Sequence, residues 1–145
     1  MKNLKMINIM NTTKQERIVN ILTDLGYKPI VDKDGDIYLM YQMRHVYIIV
    51  SHPIDTYYSV FLPTIYNVDE GEEQLVLAAC NKMTREIRCL KTFLDENYKK
   101  VCSVFEFYST EDYLSSQIKE ALDTIVSAPR LFTKQMKEII NLKNK

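Results

Sequence analysis

Three aspartates at alternate positions, Asp32, Asp34 and Asp36, form an acidic motif that resembles a calcium loop. An EF-hand loop needs such alternating oxygen ligands, a glycine at its sixth position and a bidentate glutamate at its twelfth. In this motif Gly35 comes fourth, and no glutamate stands where the loop would close. We therefore predict a solvated hairpin turn, in which the glycine supplies a positive φ.

The histidines and cysteines are the next candidates for chemistry. His45 and His52 are separated by about 23 Å of extended chain, so they share no metal ion unless the chain doubles back. The cysteines, Cys80, Cys89 and Cys102, include no CxxC pair, and their odd number is typical of reduced thiols in a cytosolic protein. We interpret each as a small buried residue and predict no metal site and no cofactor.

Clustered carboxylates could in principle carry acid–base catalysis. Glu70, Glu72 and Glu73 lie at a predicted helix start, and Asp95 and Glu96 lie in a predicted turn. Such chemistry requires a desolvated carboxyl group, whereas helix starts and turns are solvated. The three glycines are too scattered for a phosphate-binding loop. No catalytic constellation emerges, so we predict that the protein is not an enzyme.

Length and charge fit one soluble domain. The chain has 145 residues, with 19 basic and 19 acidic side chains and a net charge of zero. This balance gives no electrostatic argument for binding nucleic acid or an anionic membrane, and we predict neither. The N-terminal apolar run is too short for a signal peptide, and no run approaches the ~18 apolar residues of a membrane span. We expect a cytoplasmic protein.

The elements are predicted in the order α-β-β-β-β-α-β-β-α-α, an α+β fold with an antiparallel sheet and flanking helices. The first helix begins near Thr13, which has capping-box spacing to Glu16. The second helix follows Gly71, and the third begins at Ser109 or Thr110. Strands are predicted at Tyr27–Val31, Ile37–Gln42, His45–Ser51, Tyr57–Leu62, Ile87–Leu94 and Tyr98–Phe107.

Two prolines are predicted to end elements of secondary structure. The fourth strand is predicted to fray at Pro63, since proline cannot donate to a central ladder. Ser127-Ala128-Pro129 is predicted to interrupt the third helix, and a separate amphipathic helix follows at Leu131–Leu142. We thus expect an N-terminal tail at 1–12, one domain at 13–126 and a C-terminal helical extension at 127–145.

Alternation separates the three predicted strands between Ile37 and Leu62 into two faces. One face is almost purely hydrocarbon and is predicted to be the core: Ile37, Leu39, Tyr41, Val46, Ile48, Val50, Tyr58, Val60 and Leu62. The other is aromatic, methionine-containing and poor in charge, which is typical of recognition surfaces. Its candidate binding residues are Tyr38, Met40, Gln42, Tyr47, Ile49, Tyr57 and Phe61. Either this face is free for a partner, or the helix at Leu131–Leu142 covers it.

The order of elements, the D-x-D-G-D-I-Y turn and the helix EEQLVLAACNKMTRE resemble the YbjN-like family over about 13–126. This family shares its architecture with type III secretion chaperones. The resemblance implies a strongly twisted antiparallel sheet flanked by helices. In the secretion chaperones such a sheet supports a homodimer that holds an extended partner segment. YbjN-like proteins are described as candidate regulators of sensory transduction, and the resemblance supplies no catalytic residues.

Two functions fit these observations. The first is a non-enzymatic domain that binds a protein or peptide through the aromatic face, as a homodimer and with a regulatory role. The second is a sensor of a small apolar or planar ligand, in a pocket that the last helix closes over the same face.

Overall fold

The structure is a computed structural model that describes residues 13–145, so the predicted tail at 1–12 lies outside the described residues. The described chain forms three helices and a six-stranded sheet. The helices are α1 (Lys14–Asp24), α2 (Glu73–Glu86) and α3 (Glu111–Lys143). The strands are β1 (Ile30–Val31), β2 (Ile37–Tyr41), β3 (Arg44–Ile49), β4 (Tyr57–Asn67), β5 (Leu90–Leu94) and β6 (Lys100–Tyr108).

The predicted α+β class and antiparallel sheet are confirmed. Neighbouring strands follow the order β1-β2-β3-β4-β6-β5, and every pair is antiparallel. The helix α2 therefore leads from β4, inside the sheet, to the edge strand β5. The chain then returns through β6 to lie beside β4.

The start of α1 shows how local sequence fixes an element. The Oγ1 atom of Thr13 accepts a hydrogen bond from Glu16 N at 3.2 Å, and the Glu16 carboxylate accepts one from Thr13 N at 3.3 Å. This is the predicted capping box, which satisfies two backbone donors that the first turn would otherwise leave free. Ile18 and Leu22, spaced at helical period, are fully buried against the sheet.

The hairpin between β2 and β3 turns at Gln42-Met43, one residue earlier than the predicted reversal at Met43-Arg44. Both residues have positive φ, 45° and 66°. Two positive φ values define the type I′ turn, whose twist matches that of the paired strands. Neither residue is glycine, which is why sequence alone misplaced the turn.

The prediction that β4 frays at Pro63 is wrong. The strand continues to Asn67, and the register with β6 shifts between Leu62 and Tyr66. Pro63 lies inside this irregularity, where a missing N–H costs no ladder bond. Its carbonyl accepts a hydrogen bond from the thiol of Cys102 at 2.9 Å.

The prediction of a fourth helix is also wrong, because α3 runs through Pro129 without interruption. A proline within a helix loses one hydrogen bond and crowds the preceding turn. The turns on both sides bury apolar side chains, including Ile125 and Phe132, each with no exposed surface. Packing against the sheet therefore holds the backbone helical across the proline, and Leu131–Leu142 is the second half of one helix.

All three helices pack on one face of the sheet. The Lys14 ammonium of α1 lies 4.9 Å from the centre of the Tyr58 ring. Phe132 of α3 packs on Tyr66, with ring centres 5.1 Å apart. The predicted core set is confirmed, with only Val50 half-buried rather than buried.

Candidate functional site

The opposite side of the sheet carries no described helix, and we call it the open face. From β2, β3 and β4 it presents Tyr38, Met40, His45, Tyr47, Ile49, Tyr57, Ser59 and Phe61. From β5 and β6 it presents Lys91, Phe93, Cys102, Val104, Glu106 and Tyr108. The second half of α3 lies on the other side, so it does not cover this face. Aromatic and aliphatic side chains dominate the open face, as they do the buried centre of a binding surface.

Five open-face residues stand in line across five strands. The register places Ile30 opposite Tyr38, Tyr38 opposite Tyr47, Tyr47 opposite Phe61 and Phe61 opposite Val104. We call these five residues the apolar row. The Tyr38 and Tyr47 ring centres are 5.8 Å apart. Exposure falls along the row: Ile30 is 50% exposed, Tyr38, Tyr47 and Phe61 are half-buried, and Val104 is buried, with 8% of its surface exposed. Cross-strand packing thus builds a continuous apolar line perpendicular to the strands.

One end of the open face is polar. The Tyr57 hydroxyl donates a hydrogen bond to the Glu106 carboxylate, which also forms an ion pair with Lys91 at 2.7 Å. The rings of His52 and Tyr108 pack on Tyr57 at 4.4 Å and 5.6 Å between centres. Tyr57, Glu106 and Lys91 are thus bonded to one another at this end of the face.

The pKa values at this end follow from those contacts. Burial, together with the hydrogen bond to the Glu106 carboxylate, raises the pKa of Tyr57 to about 12. Burial alone would raise the pKa of Glu106. Hydrogen bonds from Lys91 and Tyr57 outweigh it and hold that pKa below its usual value. At neutral pH the tyrosine is therefore protonated and the glutamate ionised, so neither is poised to exchange a proton.

Six of the seven predicted binding residues lie on the open face, and Gln42 is the exception because it occupies the β2–β3 turn. Sequence reasoning did not find the contributions of β5 and β6. In β6 one alternating set contains Lys100, Glu106 and Tyr108, and the other contains Val101, Phe105 and Phe107. Alternation would therefore have separated the two sides of β6, but it was applied only to the strands predicted between 37 and 62. To place the residues of β5 and β6 on the open face, one would also have to know that β6 pairs with β4.

The acidic turn is closed by its own backbone. Asp32 Oδ1 accepts hydrogen bonds from Asp34 N at 2.8 Å and Asp36 N at 3.1 Å. Asp36 Oδ1 accepts one from Val50 N at 2.8 Å. The two bonds to Asp32 are the local side-chain bonds by which aspartate stabilises turns, and the Asp36 bond ties the turn to the residue after β3. Within 13–145, no three His, Cys, Asp or Glu side chains form a group that could hold a metal ion.

The cysteines differ in environment. Cys80 and Cys102 are buried as predicted, and burial raises the pKa of both thiols, that of Cys80 to about 12. The prediction is wrong for Cys89, which is exposed and has a φ of 64° just before β5. The two buried thiols are therefore protonated at neutral pH, and a protonated thiol is a poor nucleophile.

Two surface clefts lie away from the middle of the open face. One of about 460 Å³ is lined by residues before and within the start of α3, including Tyr108 and Tyr113. Another of about 630 Å³ lies between α2 and the edge strand β5, lined by Leu77, Phe93 and Tyr98 among others. No helix among the described residues is long and apolar enough to cross a membrane.

No protein-family model matches the chain, and no curated protein matches it by sequence. Solved structures do. The crystal structure of YbjN from E. coli, described as a candidate transcription regulator, has a TM-score of 0.59 at 14% identity, over 85% of this chain and 90% of its own. An uncharacterised protein from Methanothermobacter thermautotrophicus has a TM-score of 0.49 at 17% identity, over 85% of this chain and 99% of its own.

The fold and the open face define a two-layer α+β protein, with one sheet, a layer of helices on one side and a second side that the described helices leave uncovered. Within that class, this chain has the fold of YbjN. The resemblance to YbjN that the sequence predicted is thereby confirmed at the level of the fold, and function has to be argued from the open face itself.

Proposed function

We propose that this protein is a non-enzymatic binding domain whose open face holds a segment of a protein partner. The observation that carries the proposal is the apolar row, which the described helices leave uncovered. Aromatic residues at the centre of a charge-poor surface are the usual anchors of protein contacts. A regulatory role, as implied by the resemblance, would follow if binding withholds the partner from other interactions.

Site-specific photo-crosslinking tests this proposal. A photoreactive residue replaces Tyr47 in the apolar row or, as a control, Tyr113, which is 67% exposed at the start of α3. We expect a protein to be captured at 47 and not at 113, and then to bind the purified domain. Tyr47→Glu should weaken that binding about tenfold or more, because loss of an anchor costs over ~1.4 kcal/mol. Equal capture at both positions, or unchanged affinity, would overturn the proposal.

The small-ligand alternative required the last helix to close a pocket over the aromatic face. That helix packs on the opposite side, and the clefts described above are open surface features. The geometry therefore favours a long, shallow contact over an enclosed site. A thermal-shift screen tests the small-ligand alternative. A metabolite that raises the melting temperature of the wild type but not of Tyr47→Glu would favour a ligand sensor over a protein-binding domain.

We further propose that the homodimer forms at the β5 edge, so that the open face remains available. Leu77, Phe93 and Tyr98 are exposed there, by 43%, 37% and 58%, around one cleft. Exposed apolar clusters of this kind mark association sites. Light scattering after size exclusion should give a dimer for the wild type and a monomer for Leu77→Glu. A monomeric wild type would contradict this part of the proposal.

A further inference from the structure

We propose that the partner segment is an amphipathic helix with an uncharged apolar stripe, lying along the apolar row and across the strands. This inference rests on the proposed function and specifies its partner. It follows from the spacing of the row, from the charges beside it and from the size of the open face.

Spacing distinguishes a helix from an extended strand. Neighbouring strands are about 4.8 Å apart, so the four gaps from Ile30 to Val104 span about 19 Å. A helix repeats its apolar stripe about every 5.4 Å, which gives about 21 Å over four turns. An extended chain repeats one face about every 6.7 Å, which gives about 27 Å. Over the whole row, the length of the helical stripe differs from that of the row by about 2 Å, whereas the extended chain differs by about 8 Å.

The charges beside the row set the chemistry of the stripe. Lys91 follows Val104 in the same register line, and its ammonium pairs with Glu106 at 2.7 Å. A charged residue on the partner would have to break this pair or be buried against Phe61 and Tyr47 without a counterion. Leucine, isoleucine, methionine or phenylalanine at positions i, i+3, i+7, i+10 and i+14 complements the row instead.

The size of the open face argues against a second copy as its occupant. Six strands about 4.8 Å apart, with about six residues along each on average, give a surface of about 24 by 20 Å, or about 500 Å². A stable protein–protein interface buries about 800 Å² on each partner. A single helix can use such an area for a reversible contact, whereas two folded domains pressed together here would be poorly held.

Synthetic peptides separate this inference from the proposed function. Two neutral, fluorescently labelled peptides of about 15 residues share one composition. In the first, leucines occupy i, i+3, i+7, i+10 and i+14; in the second, they alternate with polar residues. A third peptide is the first with a central proline. Fluorescence anisotropy measures their binding to the wild type, to Tyr47→Glu and to the control Tyr113→Glu.

We expect the helical peptide to bind about tenfold or more tighter than the other two, and Tyr47→Glu but not Tyr113→Glu to abolish that difference. Tighter binding of the alternating peptide would overturn the helical mode and leave the proposed function standing. Failure of every peptide, with a crosslinked partner still captured at position 47, would also overturn only the helical mode. If no peptide binds and no protein is crosslinked at position 47, both the helical mode and the proposed function are overturned.

Discussion

Thr84 of α2 covers the backbone of Thr92 at the edge of the sheet. Its Oγ1 atom accepts a hydrogen bond from Thr92 N at 3.0 Å and donates one to Thr92 O at 3.3 Å. In an antiparallel pair, alternate residues of a strand bond to the neighbouring strand, and the residues between them point their N–H and C=O groups outward. Cys89 and Asp95 bond to β6, so the backbone N–H and C=O of Thr92, three residues from each, point away from β6. A helix side chain thus takes the place of a seventh strand and blocks edge-to-edge pairing.

Replacing Thr84 by valine keeps the shape of the side chain and removes both bonds. We expect the free energy of unfolding to fall by about 1 kcal/mol, because the Thr92 N–H loses its partner. We also expect the freed edge to cause concentration-dependent association beyond the proposed dimer. Urea denaturation and light scattering measure the two effects.

The matched control is Thr23→Val, since the hydroxyl of Thr23 bonds only to Val19 O in its own helix. We expect it to change stability by no more than about 0.5 kcal/mol. If Thr84→Val matches this control in both measurements, the hydroxyl of Thr84 does not protect the edge.

The hydrogen bond between Tyr57 and Glu106 predicts a dependence on alkaline pH. The pKa of Tyr57 is raised to about 12 in the folded state, above the ~10 of an unfolded chain. A raised pKa means that the folded state holds the proton more tightly. The stabilisation is therefore complete below about pH 10 and is lost as pH rises toward about 12.

Ultraviolet titration of tyrosinate measures this directly. Tyr57 and Tyr66 are both expected to ionise at about pH 12, and Tyr57→Phe should remove one of these late transitions. Tyr57→Phe should also flatten the decline in stability between about pH 10 and 12. If every tyrosine ionised near pH 10 in the folded protein, the proposed hydrogen bond would be absent in solution.

Alternation predicted the part of the candidate site that lies on the strands between 37 and 62, and it missed the strands that only the sheet order places beside them. Tyr38, Tyr47 and Phe61 were assigned to the correct face because each lies between two core residues in its own strand. Val104 and Glu106 were not found, because alternation was applied only to the strands between 37 and 62 and the place of β6 beside β4 depends on long-range pairing. Register between distant strands is set by packing in three dimensions, which a single sequence does not display.

The errors at proline have one physical cause. The local rule treats proline as the end of a strand or helix, yet Pro63 lies at a bulge and Pro129 lies inside α3. At Pro63 the irregular register leaves no ladder bond to lose, and around Pro129 the buried apolar surface outweighs the one helical hydrogen bond that proline removes. Tertiary packing overrides a local preference of a few kcal/mol, and its contribution becomes visible only when the elements are assembled.

Pro129→Ala tests this explanation. Alanine restores the N–H that can donate to Ile125 O and removes a helix-propensity cost of about 3 kcal/mol. It also loses about 1–2 kcal/mol of ring burial and the restriction that proline places on the unfolded chain, about 0.4–1 kcal/mol. We therefore expect the free energy of unfolding to rise by up to about 1.5 kcal/mol, measured by urea denaturation. A loss of stability would show that ring packing outweighs the helix penalty.

Met43 lies at the tip of the β2–β3 hairpin with a φ of 66°, and 93% of its surface is exposed. A left-handed conformation costs a residue with a Cβ atom about 1–2 kcal/mol, whereas glycine adopts it freely. Met43→Gly should therefore raise the free energy of unfolding by about 0.5–1 kcal/mol, once the greater freedom of glycine in the unfolded chain is subtracted.

The control for Met43→Gly is a second exposed residue, in right-handed backbone and outside both the apolar row and the β5 edge. Glu120→Gly, within α3, should lower stability by about 0.5–1 kcal/mol, so the same new residue gives opposite signs at the two sites. Because the hairpin carries Tyr38 and Tyr47 of the apolar row, Met43→Gly should leave peptide binding unchanged if the row is already ordered. A gain in affinity together with stability would instead show that the wild-type hairpin opens and that binding selects its closed form.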